Sequence, residues 1–231
     1  MTQLVAKKIS HDIANWTEVK VIMRQFLRIF CLFTFMLGST KAIALEEAIY
    51  TVIEKEDNFE VRDYAPQVRA VTHVESDLEG AGNEAFSYLF DYISGNNERQ
   101  DKIAMTAPVS QQSDGEKIKM TAPVGQQRRG DKWQISFVMP ASYTMKTLPK
   151  PSDPKVSLVQ VPEKRYAAVR YSGFWSEQGY QQNKSALQSW ISKKGLRPLG
   201  EPIWARYNAP FSLWFLRRNE VLIPIMVEKN N

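Results

Sequence analysis

The chain has 231 residues, 43% hydrophobic and 24% charged, with 12 prolines and 11 glycines. That is the composition of a globular protein, neither low-complexity nor collagen-like. One cysteine and two histidines exclude a disulfide framework and leave too few soft ligands for an all-protein transition-metal cage.

The formal charge of +5 suggests nucleic acid, but the N-terminal segment removes that suggestion. Arg24 and Arg28 form a basic region, Ile29 to Leu37 a short apolar run, and Ala42-Ile43-Ala44 an A-x-A cleavage signature. This is the pattern of a secretory signal peptide over 23–44, cleaved after Ala44. The run is too short to span a bilayer as a helix, and retention as an anchor is the alternative. Residues 1–22 fit poorly upstream of such a signal and read as an over-extended N-terminus. The expected location is therefore periplasmic or secreted. The remaining 45–231 form one domain of 187 residues with net charge +1, no cysteine and one histidine, His73. Neither nucleic acid nor, once the signal is cleaved, a membrane is an expected partner.

In the mature chain, Tyr50–Ile53 and Phe59–Val61 read as short strands, and Val68–Val74 alternates as a strand. Leu78–Ser94 carries Ala81, Ala85, Phe86, Leu89, Phe90 and Ile93 at helical spacing, and Gly95-Asn96-Asn97 ends it. Two near-identical octapeptides, Lys102–Val109 and Lys117–Val124, are read as a hairpin joined by Ser110–Glu116. Trp133–Met139 is a strand stopped by Pro140, and the proline-rich Leu148–Pro154 reads as a linker. Lys155–Val161 and Tyr166–Tyr171 are strands, with Pro162-Glu163-Lys164 turning between them. Ser176–Lys194 is a helix with Tyr180, Leu187, Trp190 and Ile191 on one stripe and Gly195 as its cap. Ile203–Tyr207 and Val221–Val227 close the order. Strand–strand–helix–strand–strand, twice, predicts a pseudo-two-fold α+β domain with a mostly antiparallel sheet covered by two helices.

Several motifs in this order resemble the SOUL haem-binding family. They are Glu60-Val-Arg-Asp-Tyr64, Tyr92-Ile-Ser-Gly-Asn96, Met-Thr-Ala-Pro-Val at 105–109 and 120–124, Phe137-Val-Met-Pro140, Tyr171-Ser-Gly173, Tyr207-Asn208 with Pro210, and Arg217-Arg-Asn-Glu-Val221. The resemblance covers roughly 48–228. It implies a distorted antiparallel β-barrel flanked by two helices, similar to the effector-binding domains of bacterial transcription regulators. It also implies a tetrapyrrole ligand, haem b or another porphyrin, held non-covalently. No CxxCH exists for covalent attachment.

The resemblance places the porphyrin groove at the first helix, which here offers Phe86, Leu89, Phe90 and Ile93, with Tyr88 and Tyr92 on adjacent faces. Phe174 and Trp175 form a second candidate lip; the same pair could staple the second helix. Where family members carry propionate-pairing basic residues, this chain has Asn83 and Asp91. The position of a proposed family histidine ligand resembles Asp63. His73 is a weak candidate axial ligand, set against a solvated strand histidine. Met105 and Met120 are read as core-filling side chains. In Arg217-Arg218-Asn219-Glu220 an Arg–Glu pair is expected to fix strand geometry, and Arg128-Arg129-Gly130 to be a solvated turn. Catalytic signatures (G-x-S-x-G, H-E-x-x-H, a P-loop, a Rossmann fingerprint) are absent from the sequence, so no enzyme is expected. The alternatives are a binding module for another amphiphilic small molecule and a structural or interaction protein without a ligand.

Overall fold

The computed structural model describes residues 45–99 and 115–227. In chain order these form β1 (Glu46–Glu47), β2 (Tyr50–Glu56), β3 (Phe59–Tyr64), β4 (Gln67–Val74), α1 (Leu78–Ser94), β5 (Asn97–Glu98), β6 (Thr121–Ala122) and β7 (Val124–Arg129). There follow β8 (Lys132–Val138), β9 (Lys150–Pro151), β10 (Ser157–Val161), β11 (Lys164–Tyr171), α2 (Glu177–Lys193), β12 (Ile203–Arg206), a 3₁₀ turn (Trp214–Leu216) and β13 (Asn219–Pro224). Nine strands make one antiparallel sheet in the order β10-β4-β8-β7-β12-β13-β11-β3-β2, curled into a half-barrel. Helix α1 packs on β4 and β8, and α2 on β11 and β13. The fold is the α+β architecture expected from the sequence.

The pseudo-two-fold axis lies between β7 and β12. On one side β4-α1-β7-β8 gives the spatial order 4-8-7; on the other β11-α2-β12-β13 gives 11-13-12. The strand preceding each half crosses over: β3 pairs with β11, and β10 pairs with β4.

Strand alternation divides the sheet into two faces. On the helix face, Val68, Ala70, Val74, Ile135 and Phe137 join the buried side of α1 in one core. Val61, Ala167, Val169, Trp204, Val221 and Ile223 join α2 in a second. The opposite, concave face carries Tyr64, Tyr166, Ala168, Ala205, Tyr207 and Leu222, closed over by Ala48 and Ala122.

Helix α1 begins where the Asp77 carboxylate accepts from the Gly80 amide, and it ends at Gly95, whose φ of +120° suits glycine. Gly195 follows α2 with a φ of +69°, the left-handed residue expected after a helix end.

Some expectations need correction. The hairpin expected of the two octapeptides lies partly outside the described residues; its second arm, Lys117–Val124, is described. Its Thr121–Ala122 pairs in parallel with Glu46–Glu47, and Val124 opens β7, which turns into β8. The first octapeptide, with Met105, lies outside the described residues, as do 1–44. Leu148–Pro154 is not a free linker. Leu148 is fully buried, Pro149 accepts from the Tyr92 hydroxyl at 2.9 Å, and Lys150–Pro151 pairs with Asn97–Glu98. β10 and β11 follow one another through Pro162-Glu163 but do not pair, because each closes the opposite half. Arg128 and Arg129 end β7 exposed beside Gly130, as expected of a solvated turn.

Candidate functional site

One row of side chains crosses the helix face of the sheet. Tyr171 on β11 stands opposite Asn219 on β13, Asn219 opposite Arg206 on β12, Arg206 opposite Val124 on β7, and Val124 opposite Phe137 on β8. With strands about 4.8 Å apart, Phe137 and Arg206 are separated by about 10 Å.

Helix α1 lies over the Phe137 end of this row. Leu89 and Ile93 are buried in the first core, whereas Phe86 is only partly buried and Phe90 is 45% exposed. The Phe86 ring stacks on Phe90 at 5.6 Å and meets Phe137 edge-on at 5.4 Å. Gly82 lies on the same flank of the helix, one turn before Phe86. Tyr88 is on the other flank, where its hydroxyl accepts from Lys155 Nζ at 2.8 Å. Tyr92 is buried, and Asn83 and Asp91 are exposed. Met120 packs against the first core.

The other end of the row is built around Trp175. Its indole Nε1 donates to Asn219 Oδ1 at 2.9 Å, and Asn219 Nδ2 donates to the Gly173 carbonyl at 3.2 Å. Asn219 thereby holds Trp175 beside Arg206, whose guanidinium lies 5.2 Å from the Trp175 ring and 5.1 Å from the Trp204 ring. Arg217 covers Trp175 at 4.8 Å while donating to the carbonyls of Ser212 and Pro210. Phe174 is 61% exposed and stacks on Trp214 at 5.2 Å. The loop between β12 and β13 continues this apolar surface, with Phe211 at 90% and Leu216 at 67% exposure.

Arg206 joins the two candidate lips. A Cβ on Gly82 would lie 2.4 Å from its Nη2 and 2.8 Å from its Nη1, so the guanidinium abuts the backbone of α1. Arg206 is 8% exposed, and Nη2 donates to Gln126 Oε1 at 3.1 Å. Among the described residues it makes no salt bridge. Burial pushes its pKa down to about 10, against a smaller upward pull from Tyr171. Tyr171 Oη and Trp204 Nε1 are both buried and neighbour one another; burial raises the Tyr171 pKa above its ordinary value, and the Trp204 indole N–H opposes it more weakly.

His73 is exposed on β4, in alternation with Val74 and Thr72, and so on the sheet face opposite α1. The sequence motifs 60–64 and 217–221 meet on that concave face. Arg62 donates to both Glu220 oxygens, at 2.7 and 3.0 Å; Arg218 Nε donates to Glu220 Oε1 at 2.9 Å, and the Tyr207 hydroxyl donates to Glu220 Oε2 at 2.8 Å. Burial acts to lower the Arg62 pKa, and Glu220 outweighs it, holding the guanidinium well above its ordinary value. Asp63 takes a two-point ion pair from Arg165 at 2.6 and 2.7 Å, which lowers its pKa. These charges fix strands to one another, as expected of the Arg–Glu motif.

Arg206 and Trp214 were not singled out from sequence. The signal for Arg206 was a basic residue at an inward position of the apolar run Ile203–Tyr207. Trp214 carried no periodic signal, because it lies in an irregular loop. Two recesses of about 220 and 330 Å³ lie elsewhere, beside Glu46–Ile49 and beside Pro198–Pro202. Among the described residues, no group of three or more His, Cys, Asp or Glu could hold a metal ion, and no helix is long and apolar enough to cross a membrane.

A family profile described as SOUL heme-binding protein matches residues 45–224. Heme-binding protein 2 of Homo sapiens and that of Mus musculus are each 28% identical over 173 residues, spanning 71% of this chain and 80% of the relative. Among solved structures, the C-terminal domain of EcmrR superposes with a TM-score of 0.52 at 8% identity, over 77% of this chain and 98% of that one. A hydrolase from Listeria innocua superposes at 0.51 and 12% identity, over 75% and 94%. At such identities these two structures show the likeness of fold alone.

Proposed function

Because the chain belongs to the SOUL haem-binding family, we propose that it binds haem or another tetrapyrrole without a covalent bond, on the α1 flank that carries Phe86 and Phe90. The observation that carries this reading is the stacked, partly exposed Phe86–Phe90 pair on the Phe137 floor, one helical turn from the buried guanidinium of Arg206. A flat apolar ring stacks on such a surface, and acidic substituents face a cation at its edge. The residues present fit a tetrapyrrole held by packing and charge. When bound, haem would supply an iron centre for redox or ligand exchange. This chain's residues would contribute ring contacts from Phe86 and Phe90, a side wall from Trp175 and Phe174, and shielding of one face from water. His73, on the opposite face of the sheet, takes no part.

This is the proposal of a binding protein, a carrier or buffer, rather than a catalyst. It includes export: the family match begins at residue 45, directly after the cleavage signature Ala42–Ala44, and that supports a periplasmic or secreted location.

The test is a haemin titration followed at the Soret band. Phe86→Ala and Phe90→Ala are expected to weaken binding about tenfold or more, by loss of stacking and buried ring area, while His73→Ala leaves it unchanged. Loss of binding in His73→Ala alone would place the iron on the concave side. No saturable shift would exclude haem.

A further inference from the structure

We propose that Arg206 is a carboxylate-binding residue, the anchor for the acid group of the planar ligand whose ring lies on Phe86 and Phe90. The proposal rests on the tetrapyrrole reading for the ligand's ring and on separate observations for its acid.

A guanidinium nine-tenths out of water is ordinarily paired with an acid. Arg206 has none among the described residues, although Arg62 and Arg165, elsewhere in the same sheet, each hold a carboxylate with two hydrogen bonds. Of its five N–H groups, one donates to Gln126. The acids of the neighbouring helix starts are engaged elsewhere: Asp77 caps α1, and Glu79 Oε1 accepts from the Glu177 amide at 3.2 Å.

A further buried group, the Tyr171 hydroxyl, has no acceptor among the described residues, its neighbour the Trp204 indole N–H being itself a donor. Tyr171 and Trp204 both lie close enough to interact with one another, and Arg206 acts on Tyr171 through its charge. A carboxylate entering beside Trp175 would give this group of donors the acceptor it lacks. The cross-sheet spacing of about 10 Å between Phe137 and Arg206 places ring and acid on one ligand. Glycine at 82 is what lets the guanidinium lie against the helix backbone.

The test has two arms on the full chain. In the first, thermal melts are recorded with 2-naphthoate and with the uncharged 2-naphthamide. The acid is expected to raise the melting temperature and the amide not, with the difference abolished in Arg206→Met and retained in part in Arg206→Lys. In the second, wild type is expected to bind haemin at least tenfold more tightly than haem dimethyl ester, whose acid groups are masked, and Arg206→Met to bind the two equally. The wild-type comparisons need no variant, so a folding defect in Arg206→Met does not obscure them. Equal effects of naphthoate and naphthamide on wild type, or a haemin preference that survives in Arg206→Met, would overturn the anchor. A naphthoate effect that depends on Arg206, with no haem binding at all, would uphold the anchor and exclude haem as its ligand.

Discussion

Glu220 has no exposed surface, and its two oxygens accept from Arg62, Arg218 and Tyr207. Neutralising it removes the anion the two cations share, while Arg62 keeps Glu60 at 2.7 Å and Arg218 keeps Glu47 at 2.8 Å. Stranding a buried charge with no partner costs about 3–5 kcal/mol, and these second carboxylates put Glu220→Gln toward the lower end. Glu220→Gln is therefore expected to lower the urea midpoint strongly at unchanged m-value; an unchanged midpoint would show that the network adds nothing to stability. The same residue shows what a sequence holds and what it does not. Arg217-Arg-Asn-Glu220 was recognisable as a device for holding strands, and Arg218 does bind Glu220. The stronger partner, Arg62, lies 158 positions away, and only the pairing of β3 with β11 and β11 with β13 brings it there. Local spacing carries no record of that register. Arg206 was missed for a related reason: its lack of an acid is a property of the folded surroundings.

Helix α1 was legible almost to the residue, because a seventeen-residue segment with apolar spacing and a terminal glycine states its own limits. Strands β1, β5, β6 and β9 were not, since two residues show no alternation. Of the candidate site residues on α1, the spacing identified the stripe but not its division. Leu89 and Ile93 face the core, and Phe86 and Phe90 stand at its edge. That edge depends on Gly82. Alanine is preferred to glycine inside a helix by about 1 kcal/mol, yet here the added methyl would meet a guanidinium held between Trp175, Trp204 and Gln126. Gly82→Ala is expected to destabilise the wild-type background and to stabilise the Arg206→Met background. A double-mutant cycle in chemical denaturation measures the difference, and additive effects would show that the two positions do not touch.

At the scale of the molecule, burial raises the pKa of Tyr64 and Tyr180 to about 12 and holds those of Tyr92, Tyr171 and Tyr207 well above the ordinary tyrosine value. The unfolded chain releases these protons near pH 10, before the folded one does, so their contribution is complete below pH 10 and falls as pH rises. Arg206, depressed to about 10, works in the opposite sense, but Tyr143, raised to about 12 by its hydrogen bond to Glu116, and Lys132, Lys155 and Lys194, raised by their hydrogen-bond partners, act with the tyrosines. Stability is therefore expected to fall steeply between pH 10 and 12, and tyrosinate absorbance to rise together with unfolding. Titration of all nine tyrosines in a chain that stays folded would contradict this. The repeated element order was readable in the sequence, but the exchange of β3 and β10 between halves was not, because each strand looks alike whichever edge it joins. That exchange has a topological consequence. Each half lends a strand to the other, so neither covers its own outer edge, and the two are clasped like linked hooks rather than set side by side. A backbone nick between β8 and β10 would leave the pieces bound until both unfold. A lone half would have to find its missing edge in another copy of itself, through the same clasp made between chains.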